Sequence, residues 1–451
     1  MKKLTAFCVI FTLLYQVSAP AQDVLTLREA IQESWTHRKN IEAEALNPKI
    51  QNLQSQALKK KYAPQVSLEY EYQYNPILQS SILPVGKFNP ALPSDAKESV
   101  QFGTTWSQAA GINLLQPLID EKVKQQIRES HLNEQLASAS LSTQKYLLAY
   151  EVTKAYLELW LQQQQWASSV IDSTGTWESY QMQLQRFQQG RLLKYDLNKA
   201  LINHHNAVQK VRDARSQLMK SKIYLQNLTG RPLNPLENIQ PDSNFFKSGF
   251  EKWMRLSPRW DSLPDIRQLS LQQQLALQQQ QSEKSKYLPT LSLKGFLGAN
   301  QYSNVLEPFA AHSWFGYSYL GIDAKLPLLF GEDKKRKLRE LQLQSDQYRL
   351  QKEDESSQYQ EQAATAQLQL YNLQGRIQNQ EANLTLQRES VTLIRERVAM
   401  GQETAESLNN EELELMRMES QLAESQRQGW LYWLDYVKAN GLLETLWEPS
   451  R

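Results

Sequence analysis

The histidines are the residues best suited to metal binding or proton transfer, and they are scattered along the chain. The five are His37, His131, His204, His205 and His312. Only one pair is adjacent, and neighbouring residues on a helix face different sides, so no metal-ligand set results. The sequence also has no glycine-rich phosphate loop and no nucleophile motif around its serines. We therefore expect no cofactor, no metal and no catalysis.

The composition indicates a thin, elongated core rather than a large globular one. The chain has 451 residues, a hydrophobic content of 41% and a mean hydropathy of −0.60. Its formal net charge is +2, and the excess equals the two lysines Lys2 and Lys3. The rest of the chain is near neutral, so the charge gives no case for nucleic-acid binding.

Residues 1–21 have the pattern of a secretory signal peptide. Lys2 and Lys3 precede an apolar run, and Ala19-Pro20-Ala21 forms a cleavage site of small residues. Cys8 is the only cysteine and lies inside that run without the small residues of a lipoprotein site, so we expect neither acylation nor disulfides. No other apolar run reaches about 18 residues, so we predict export without a membrane-spanning helix.

Two long stretches without proline predict two very long helical hairpins. They lie between Pro117 and Pro232 and between Pro327 and Pro449. Each carries apolar residues at alternating spacings of four and three, which is typical of a coiled-coil seam. The seam positions are Leu148, Val152, Ala155, Leu159 and Trp166 in the first, and Leu370, Leu373, Ile377, Leu384, Val391, Ile394 and Val398 in the second.

Period-two alternation predicts four β-strands ahead of these helices. After Pro64, every second residue from Val66 to Tyr74 is apolar, and a second alternating run extends from Val100 to Leu114. We expect these two strands to form a hairpin around a loop at about 75–98. A preceding helical pattern is interrupted at Asn47-Pro48. Later, one strand contains Leu291, Leu293 and Leu297, a loop covers 300–313, and a strand with Phe315, Tyr317 and Tyr319 changes parity near Leu320, which suggests a bulge.

The chain is an internal duplication. Gly111-Ile-Asn-Leu-Leu-Gln-Pro-Leu aligns with Gly321-Ile-Asp-Ala-Lys-Leu-Pro-Leu without a gap, and Gly190 corresponds to Gly401. The first repeat is residues 22–230, with a β-hairpin at about 64–117 and a helical hairpin at about 118–230. A connector covers 231–262. The second repeat is residues 263–451, with a β-hairpin at about 289–327, a helical hairpin at about 328–440 and a tail.

Four strands with one tyrosine-rich apolar face, in an exported protein, fit part of a transmembrane barrel. In lipid every strand must be hydrogen-bonded on both sides, and four strands cannot enclose a lumen, so closure requires a ring of several chains. The alternative for the strands alone is a soluble β-sandwich with one buried face. The long helices beside each strand pair argue against that alternative.

The whole predicted mature chain resembles the TolC-like outer-membrane efflux proteins. The features shared in order are a leading helix, a hairpin ending in Gln-Pro-Leu, a long helical hairpin, Leu-Thr-Gly at 228–230, Leu-Pro-Asp at 263–265, and the same series again. The resemblance implies a mostly α-helical fold in which duplicated helical hairpins form an α-helical barrel, continuous with a trimeric 12-stranded β-barrel in the outer membrane. It also implies an exit duct reaching into the periplasm, a periplasmic membrane-fusion adaptor, and an inner-membrane pump of RND or ABC type that supplies the energy.

In that family the helical turns form a periplasmic tip, with the pattern Arg-x-x-x-Gly and an acidic residue six positions later. The resemblance assigns adaptor contact to Arg186, Gly190 and Asp196 in the first repeat, and to Arg397, Gly401 and Glu406 in the second, where Ser407 holds the acidic position itself. Arg191 and Leu193 depart from the family pattern. Each glycine also fits a left-handed helix C-cap, and the acidic residues fit either a cation-selecting ring or solvated helix surface.

Basic residues occur wherever a predicted helix meets a strand. We call them the basic collar: Lys59, Lys60 and Lys61; Lys122, Lys124 and Arg128; Lys284 and Lys286; and Lys334, Lys335, Arg336, Lys337 and Arg339. The first and third groups end helices, where the helix dipole favours cations, but the other two begin helices, where it does not. The charges predict contact with anionic lipid headgroups of the outer membrane, the alternative being solvation of exposed helix ends.

Two other classes of protein stay open at this stage. A periplasmic coiled-coil scaffold would explain the long helices but not four aromatic strands, and a surface fibre would need larger exposed segments than the two predicted outer loops provide. Within the duct class, the sequence does not distinguish drug, metal and protein export.

Overall fold

The computed structural model describes residues 24–88, 91, 93–231, 240–241, 256–308, 314–327 and 332–447. The predicted signal segment, most of the connector and His312 lie outside the described residues. The first half contains β1 (Val24–Leu25), α1 (Leu27–His37), α2 (Lys39–Glu44), α3 (Leu46–Lys59), β2 (Gln65–Tyr74), β3 (Gln79–Leu83), β4 (Glu98–Phe102), β5 (Trp106–Ile119), α4 (Glu121–Gln188) and α5 (Lys194–Thr229). The second half contains β6 (Gln240–Pro241), α6 (Pro264–Ser285), β7 (Thr290–Ser303), β8 (Trp314–Lys325), α7 (Glu332–Met400) and α8 (Ala405–Ala439).

The chain divides into two compact units. One comprises Met1–Asn47, Ser138–Leu269 and Leu350–Arg451, and we call it the hairpin unit. The other comprises Pro48–Ala137 and Ser270–Arg349, and we call it the sheet unit. The division of the chain into repeats at residues 230 and 263 stays a prediction.

The two longest helices coincide with the proline-free stretches. α4 has 68 residues and α7 has 69. The predicted seam positions Leu148, Val152 and Leu159 of α4 are buried, and Leu370, Leu384 and Val398 of α7 are as well, whereas Trp166 is 38% exposed. Because helix stability in proteins comes mainly from packing one apolar face, this buried seam is what stabilises helices of such length. No helix in the described part of the chain is both long and apolar enough to span a bilayer.

The largest core of the hairpin unit joins the N-terminal helix to the end of α8. Ile31 of α1, Tyr156 of α4 and Trp433 of α8 are fully buried in it. The Tyr156 hydroxyl donates a hydrogen bond to the Leu25 carbonyl oxygen at 2.9 Å. α1 begins with a capping box, in which the Thr26 hydroxyl accepts from the Glu29 amide while the Glu29 carboxylate accepts from the Thr26 amide.

The predicted interruption of the first helical segment is in a different place. Asn47 and Pro48 lie in the first turn of α3, where a proline ring is tolerated because that turn has no intrahelical N–H bond to lose. The breaks fall instead at Arg38, which has extended backbone, and at Ala45. The sequence interpretation was wrong because it treated proline only as a helix breaker.

A four-stranded antiparallel sheet forms the centre of the sheet unit. Its strand order is β2-β5-β7-β8. The pairs Gln65↔Leu115, Ile119↔Leu291 and Thr290↔Lys325 place the starts of β2 and β7 beside the ends of β5 and β8. All four junctions between helices and strands therefore lie at one end of the sheet.

The second predicted strand is in fact two strands, and the loop before it is not wholly irregular. Gly103, with a φ of 109°, separates β4 from β5. β4 pairs with β3 in a separate two-stranded sheet, and β3 lies inside the predicted loop. The alternation continued through Gly103, but its positive φ redirects the chain there. β7 also continues to Ser303, into the residues predicted as the second loop.

The apolar residues occupy both faces of the sheet, whereas the sequence predicted a single tyrosine-rich apolar face. Val66, Leu68, Leu297 and Ile322 share one face with the tyrosines of β2, and these four residues are 66–80% exposed. Tyr317 and Tyr319 lie on the opposite face, where their rings stack on Phe296 at 4.6 and 6.0 Å between centroids. The register of β7 with β8 is regular through Leu320, so there is no bulge at that position. The register shift lies between Pro117 and Ile119 instead.

A pair of facing glycines on β5 and β7 leaves room for the Phe296 ring on that face of the sheet. Gly111 is paired directly with Gly298. A Cβ atom on Gly111 would lie 2.4 Å from the Phe296 ring, and one on Gly298 would lie 2.4 Å from the Ala110 carbonyl oxygen. The second contact is with backbone, so rotation of a side chain cannot relieve it.

We expect Gly298→Ala to destabilise the sheet by about 1–3 kcal/mol through overpacking between β5 and β7. Gly321→Ala is the matched control, because a Cβ at Gly321 meets no atom within 4 Å. The free energy of unfolding in urea, followed by tryptophan fluorescence in detergent, would measure the difference. Equal stabilities of the two variants would contradict this account of the glycine pair.

Candidate functional site

The turns that close the two long helical hairpins are the site to which the sequence assigned partner contact. The first turn joins α4 to α5 through residues 189–193, and the second joins α7 to α8 through residues 401–404. Both turns belong to the hairpin unit.

The two turns have the same backbone hydrogen bonds. Gly190 and Gly401 have φ values of 70° and 77°, in the left-handed region. After each glycine, the next amide donates to a carbonyl five residues earlier, from Arg191 to Arg186 and from Gln402 to Arg397, both at 2.9 Å. This is the Schellman C-cap, which satisfies the free carbonyl groups at a helix end. The position four residues before each glycine therefore completes the cap through its backbone carbonyl oxygen, which does not require an arginine side chain.

The side chains of the predicted tip residues differ in their surroundings. Arg186 is partly buried and reaches the other turn, where its Nη2 atom lies 3.9 Å from the position of a Cβ on Gly401. Arg397 is exposed, and Asp196 is partly buried in the first turn of α5. The structure thus brings together Arg186 and the Gly401 turn.

The starts of the returning helices are capped differently. At α8, the Thr404 hydroxyl accepts a hydrogen bond from the Ser407 amide at 3.1 Å. At α5, the corresponding Leu193 offers no side-chain cap. Glu406 forms an ion pair with Lys199 of α5 at 3.0 Å, so the two hairpins are connected close to their turns. Lys199 was not identified from the sequence, because a pairing between two helices leaves no periodic signal.

A small apolar layer lies next to the turns. Its buried members are Val391 and Val398 of α7 and Leu408 of α8. Met182 of α4 packs against them. Two of these residues are predicted seam positions, so the coiled-coil pattern extends as far as the turns.

Buried polar residues lie beside the apolar layer, at the same level of the hairpins. Gln183 and Asn409 are almost fully buried, and the Gln183 amide donates to Asn409 Oδ1 at 3.2 Å. Glu412 is also buried and pairs with Arg395 at 3.0 Å. Burial raises the pKa of Glu412, and the charge of Arg395 opposes that rise. Polar groups inside a seam weaken it relative to apolar packing but fix which residues face each other.

Charged residues from all four long helices meet farther from the turns. Lys210 of α5 lies 3.7 Å from Asp172 of α4, and Arg388 of α7 lies 2.8 Å from Glu419 of α8. Burial and the neighbouring Glu419 carboxylate raise the pKa of Asp172 to about 6, against the opposing charge of Lys210. This cluster was not predicted from the sequence. Polar residues that replace apolar ones at seam spacing are the signal that could have found it.

The histidines that the structure describes lie among other helix residues. Within the described residues, no group of three or more histidine, cysteine or acidic side chains could hold a metal ion. His204 and His205 have ring centroids 6.3 Å apart, and the His204 ring packs at 5.0 Å from Trp177. These contacts are those of ordinary packed helix residues.

Comparison with solved structures identifies the class of protein that shares this fold. No family model and no curated protein matches the sequence. The outer-membrane protein VceC from Vibrio cholerae matches with a TM-score of 0.69 and 14% identity, over 92% of this chain and 96% of that one. The open-state outer-membrane channel MtrE from Neisseria gonorrhoeae has a TM-score of 0.69 and 16% identity, over 92% and 88%. The Campylobacter jejuni CmeC outer-membrane channel has a TM-score of 0.68 and 14% identity, over 92% of this chain and 85% of that one.

The chain therefore has the fold of the TolC-like outer-membrane channels. The resemblance stated from the sequence is confirmed at the level of the fold, including its long helices and its sheet. The roles of the tip residues and of the basic collar stay predictions.

The Asp172 cluster predicts a pH dependence of stability in the hairpin unit. Because the folded chain binds this proton more tightly than the unfolded chain, the free energy of unfolding falls as the pH rises from about 3.8 to about 6. In Asp172→Asn, this decrease in the free energy of unfolding should be smaller by up to about 2 kcal/mol. Thermal loss of helical circular dichroism at several pH values would measure it. Asp213→Asn, at an exposed position of α5, is the control, and an unchanged pH dependence in Asp172→Asn would contradict the prediction.

Proposed function

We propose that this protein is the outer-membrane exit duct of a tripartite efflux or type I secretion system. The observation that carries the proposal is the combination, in one chain, of a sheet with an exposed apolar face and two long helical hairpins with matching turns. The fold of outer-membrane channels over 92% of the chain supports it. The duct is not an enzyme, and the pump supplies the energy for transport.

The duct is a trimer in the outer membrane that extends into the periplasm. The described four-stranded sheet ends in β2 on one side and β8 on the other, so its two outer strands have unpaired backbone groups on one side. In a bilayer such groups must be hydrogen-bonded, which pairing between copies achieves. Three copies contribute twelve strands, a number within the range of closed outer-membrane barrels.

The two turns are the surface that contacts a periplasmic membrane-fusion adaptor, which in turn connects to an inner-membrane pump of RND or ABC type. Leu193, Tyr195 and Met400 at or beside the turns are each more than 60% exposed. Exposed apolar side chains around Arg186, Gly190, Asp196, Arg397, Gly401 and Glu406 suit a protein partner better than solvent does. A periplasmic scaffold without a transport role is less well supported, because it has no use for the exposed apolar face of the sheet.

We expect the purified protein to be a trimer that requires detergent. The reason is that single four-stranded sheets leave both their outer edges and their apolar face uncovered. Multi-angle light scattering with correction for bound detergent would give the mass of the protein part. A stable monomer that remains in solution without detergent would contradict the proposal.

We expect the double variant Gly190→Val and Gly401→Val to lose export while still forming trimers. Valine is strained at positive φ, so both caps would distort locally. Export would be measured as the minimum inhibitory concentration of exported compounds in a strain lacking its own duct.

The double variant Gly175→Val and Gly375→Val is the matched control. Those glycines lie in α4 and α7, and neither has a positive φ. A Cβ atom on either would have no other atom within 4 Å. The proposal requires normal export in the control. Normal export in the tip variant would exclude the two turns as an essential contact.

A further inference from the structure

The basic collar lies at a single end of the sheet. The register of the four strands places the starts of β2 and β7 beside the ends of β5 and β8. α3 and α6 lead into the two starts, and α4 and α7 follow the two ends. Every group of the collar lies at one of these four junctions, the farthest members being Arg128 and Arg339, the eighth residues of α4 and α7. All of them belong to the sheet unit.

Direct contacts connect the groups in pairs. The Tyr62 hydroxyl, next to Lys61, donates to the Asp120 carbonyl oxygen at the start of α4, and the Gln116 amide donates to the Tyr62 carbonyl oxygen at 3.1 Å. The Lys334 ammonium lies 4.0 Å above the centroid of the Tyr287 ring, so the third and fourth groups are also adjacent. These contacts join the first group to the second and the third to the fourth, and the pairing of β5 with β7 places the two pairs on neighbouring strands.

Much of this charge faces solvent without a compensating carboxylate. Lys59, Lys60, Lys61 and Lys335 are exposed, and no ion pair involves them among the residues that the structure describes. Lys124, Lys286, Arg336 and Lys337 each pair with a carboxylate three residues away, as Lys337 does with Glu340 at 2.7 Å. Such exposed pairs contribute little to stability.

Helix electrostatics explain half of the collar. Lys59 and Lys284 lie in the last turns of α3 and α6, where cations interact favourably with the helix dipole. The lysines in the first turns of α4 and α7 experience the opposite effect. At α4, the Asp120 carboxylate already accepts a hydrogen bond from the Val123 amide, so the helix start is capped without them. The basic residues at the two helix starts are therefore not explained by folding.

The exposed apolar face of the sheet adjoins this charge. Val66 and Leu68, close to the start of β2, are 67% and 80% exposed, and Ile322, close to the end of β8, is 68% exposed. An apolar surface followed by a basic one matches the order of a bilayer, in which hydrocarbon gives way to headgroups. A soluble anion would have no need of the apolar surface.

We propose that the basic collar binds the anionic headgroups of the inner leaflet of the outer membrane. This inference rests on the proposed function, since it requires the sheet to lie in a bilayer. The collar fixes the depth at which the sheet sits, because each basic residue interacts most favourably when it is at the level of the headgroups. The binding is electrostatic, so it weakens as salt screens the exposed charges.

The test compares insertion into vesicles of two compositions. Detergent-solubilised protein is diluted into vesicles of phosphatidylcholine alone or mixed with phosphatidylglycerol, and the inserted fraction is measured by flotation as a function of lipid concentration. The variant Lys334→Gln, Lys335→Gln, Arg336→Gln and Lys337→Gln should insert into phosphatidylcholine like the wild type. Its preference for the anionic vesicles should fall by about tenfold or more, given roughly fivefold per basic residue near an anionic surface.

The matched control removes the same charge elsewhere, in Arg212→Gln, Arg215→Gln, Lys220→Gln and Arg376→Gln, all exposed on helices of the hairpin unit. It should keep the wild-type preference. An equal loss in the control, or an unchanged preference in the collar variant, would overturn the proposal and leave only solvated helix ends. Loss of the preference on adding inorganic phosphate at constant ionic strength would assign the collar to a soluble anion. Failure of the wild type to insert into any vesicle would instead contradict the proposed function.

Discussion

The burial of one apolar stripe along each long helix is the interaction on which the hairpin unit depends. Most of the stability of helices in proteins comes from the tertiary packing of an apolar face, and this applies to helices of 68 and 69 residues. The stripe is buried at Val152 and Leu159 in α4 and at Leu370 and Val398 in α7. This packing fixes the positions of the turns, whose own side chains are largely exposed.

Polar residues interrupt the apolar stripe of the hairpin unit, and they contribute to helix packing differently from the apolar residues. The apolar layer of Val391, Val398 and Leu408 lies next to the turns. The Gln183–Asn409 contact lies at the level of Met182 and Leu408, and Arg395, which pairs with Glu412, lies between Val391 and Val398 on α7. The Asp172 cluster lies farther from the turns. Apolar layers supply most of the attraction between helices, whereas buried polar pairs specify register at some cost in stability. A structure with both kinds of layer is uniquely aligned without being packed as tightly as an all-apolar seam.

The sheet unit follows a different constraint, which is the pairing of backbone groups. Its two faces both carry apolar side chains, and one of them is widely exposed at Leu68 and Ile322. The Gly111–Gly298 pair lets a phenylalanine ring occupy the other face without separating the strands. Such a sheet is unsuited to water by itself, which is the physical basis for placing it in a membrane and for expecting copies of the chain to complete it.

The sequence by itself determined the features that depend on residues close together in the chain. The absence of proline and the four-three spacing predicted α4, α5, α7 and α8, and glycine at 190 and 401 predicted the turns, because helix continuation and positive φ are local properties. The alternation after Pro64 predicted β2 for the same reason. The resemblance to outer-membrane channels also rested on the order of these local signals.

Only the tertiary structure decided which residues meet across elements. The separation of β4 from β5 at Gly103 depends on β3, to which β4 pairs. The placement of Tyr317 and Tyr319 opposite the tyrosines of β2 depends on strand register. The Lys199–Glu406 pair and the Asp172 cluster each join helices that are far apart in sequence. A periodic pattern states which face of an element is apolar, but the partner of that face is set by the packing of the whole chain, which no local spacing records.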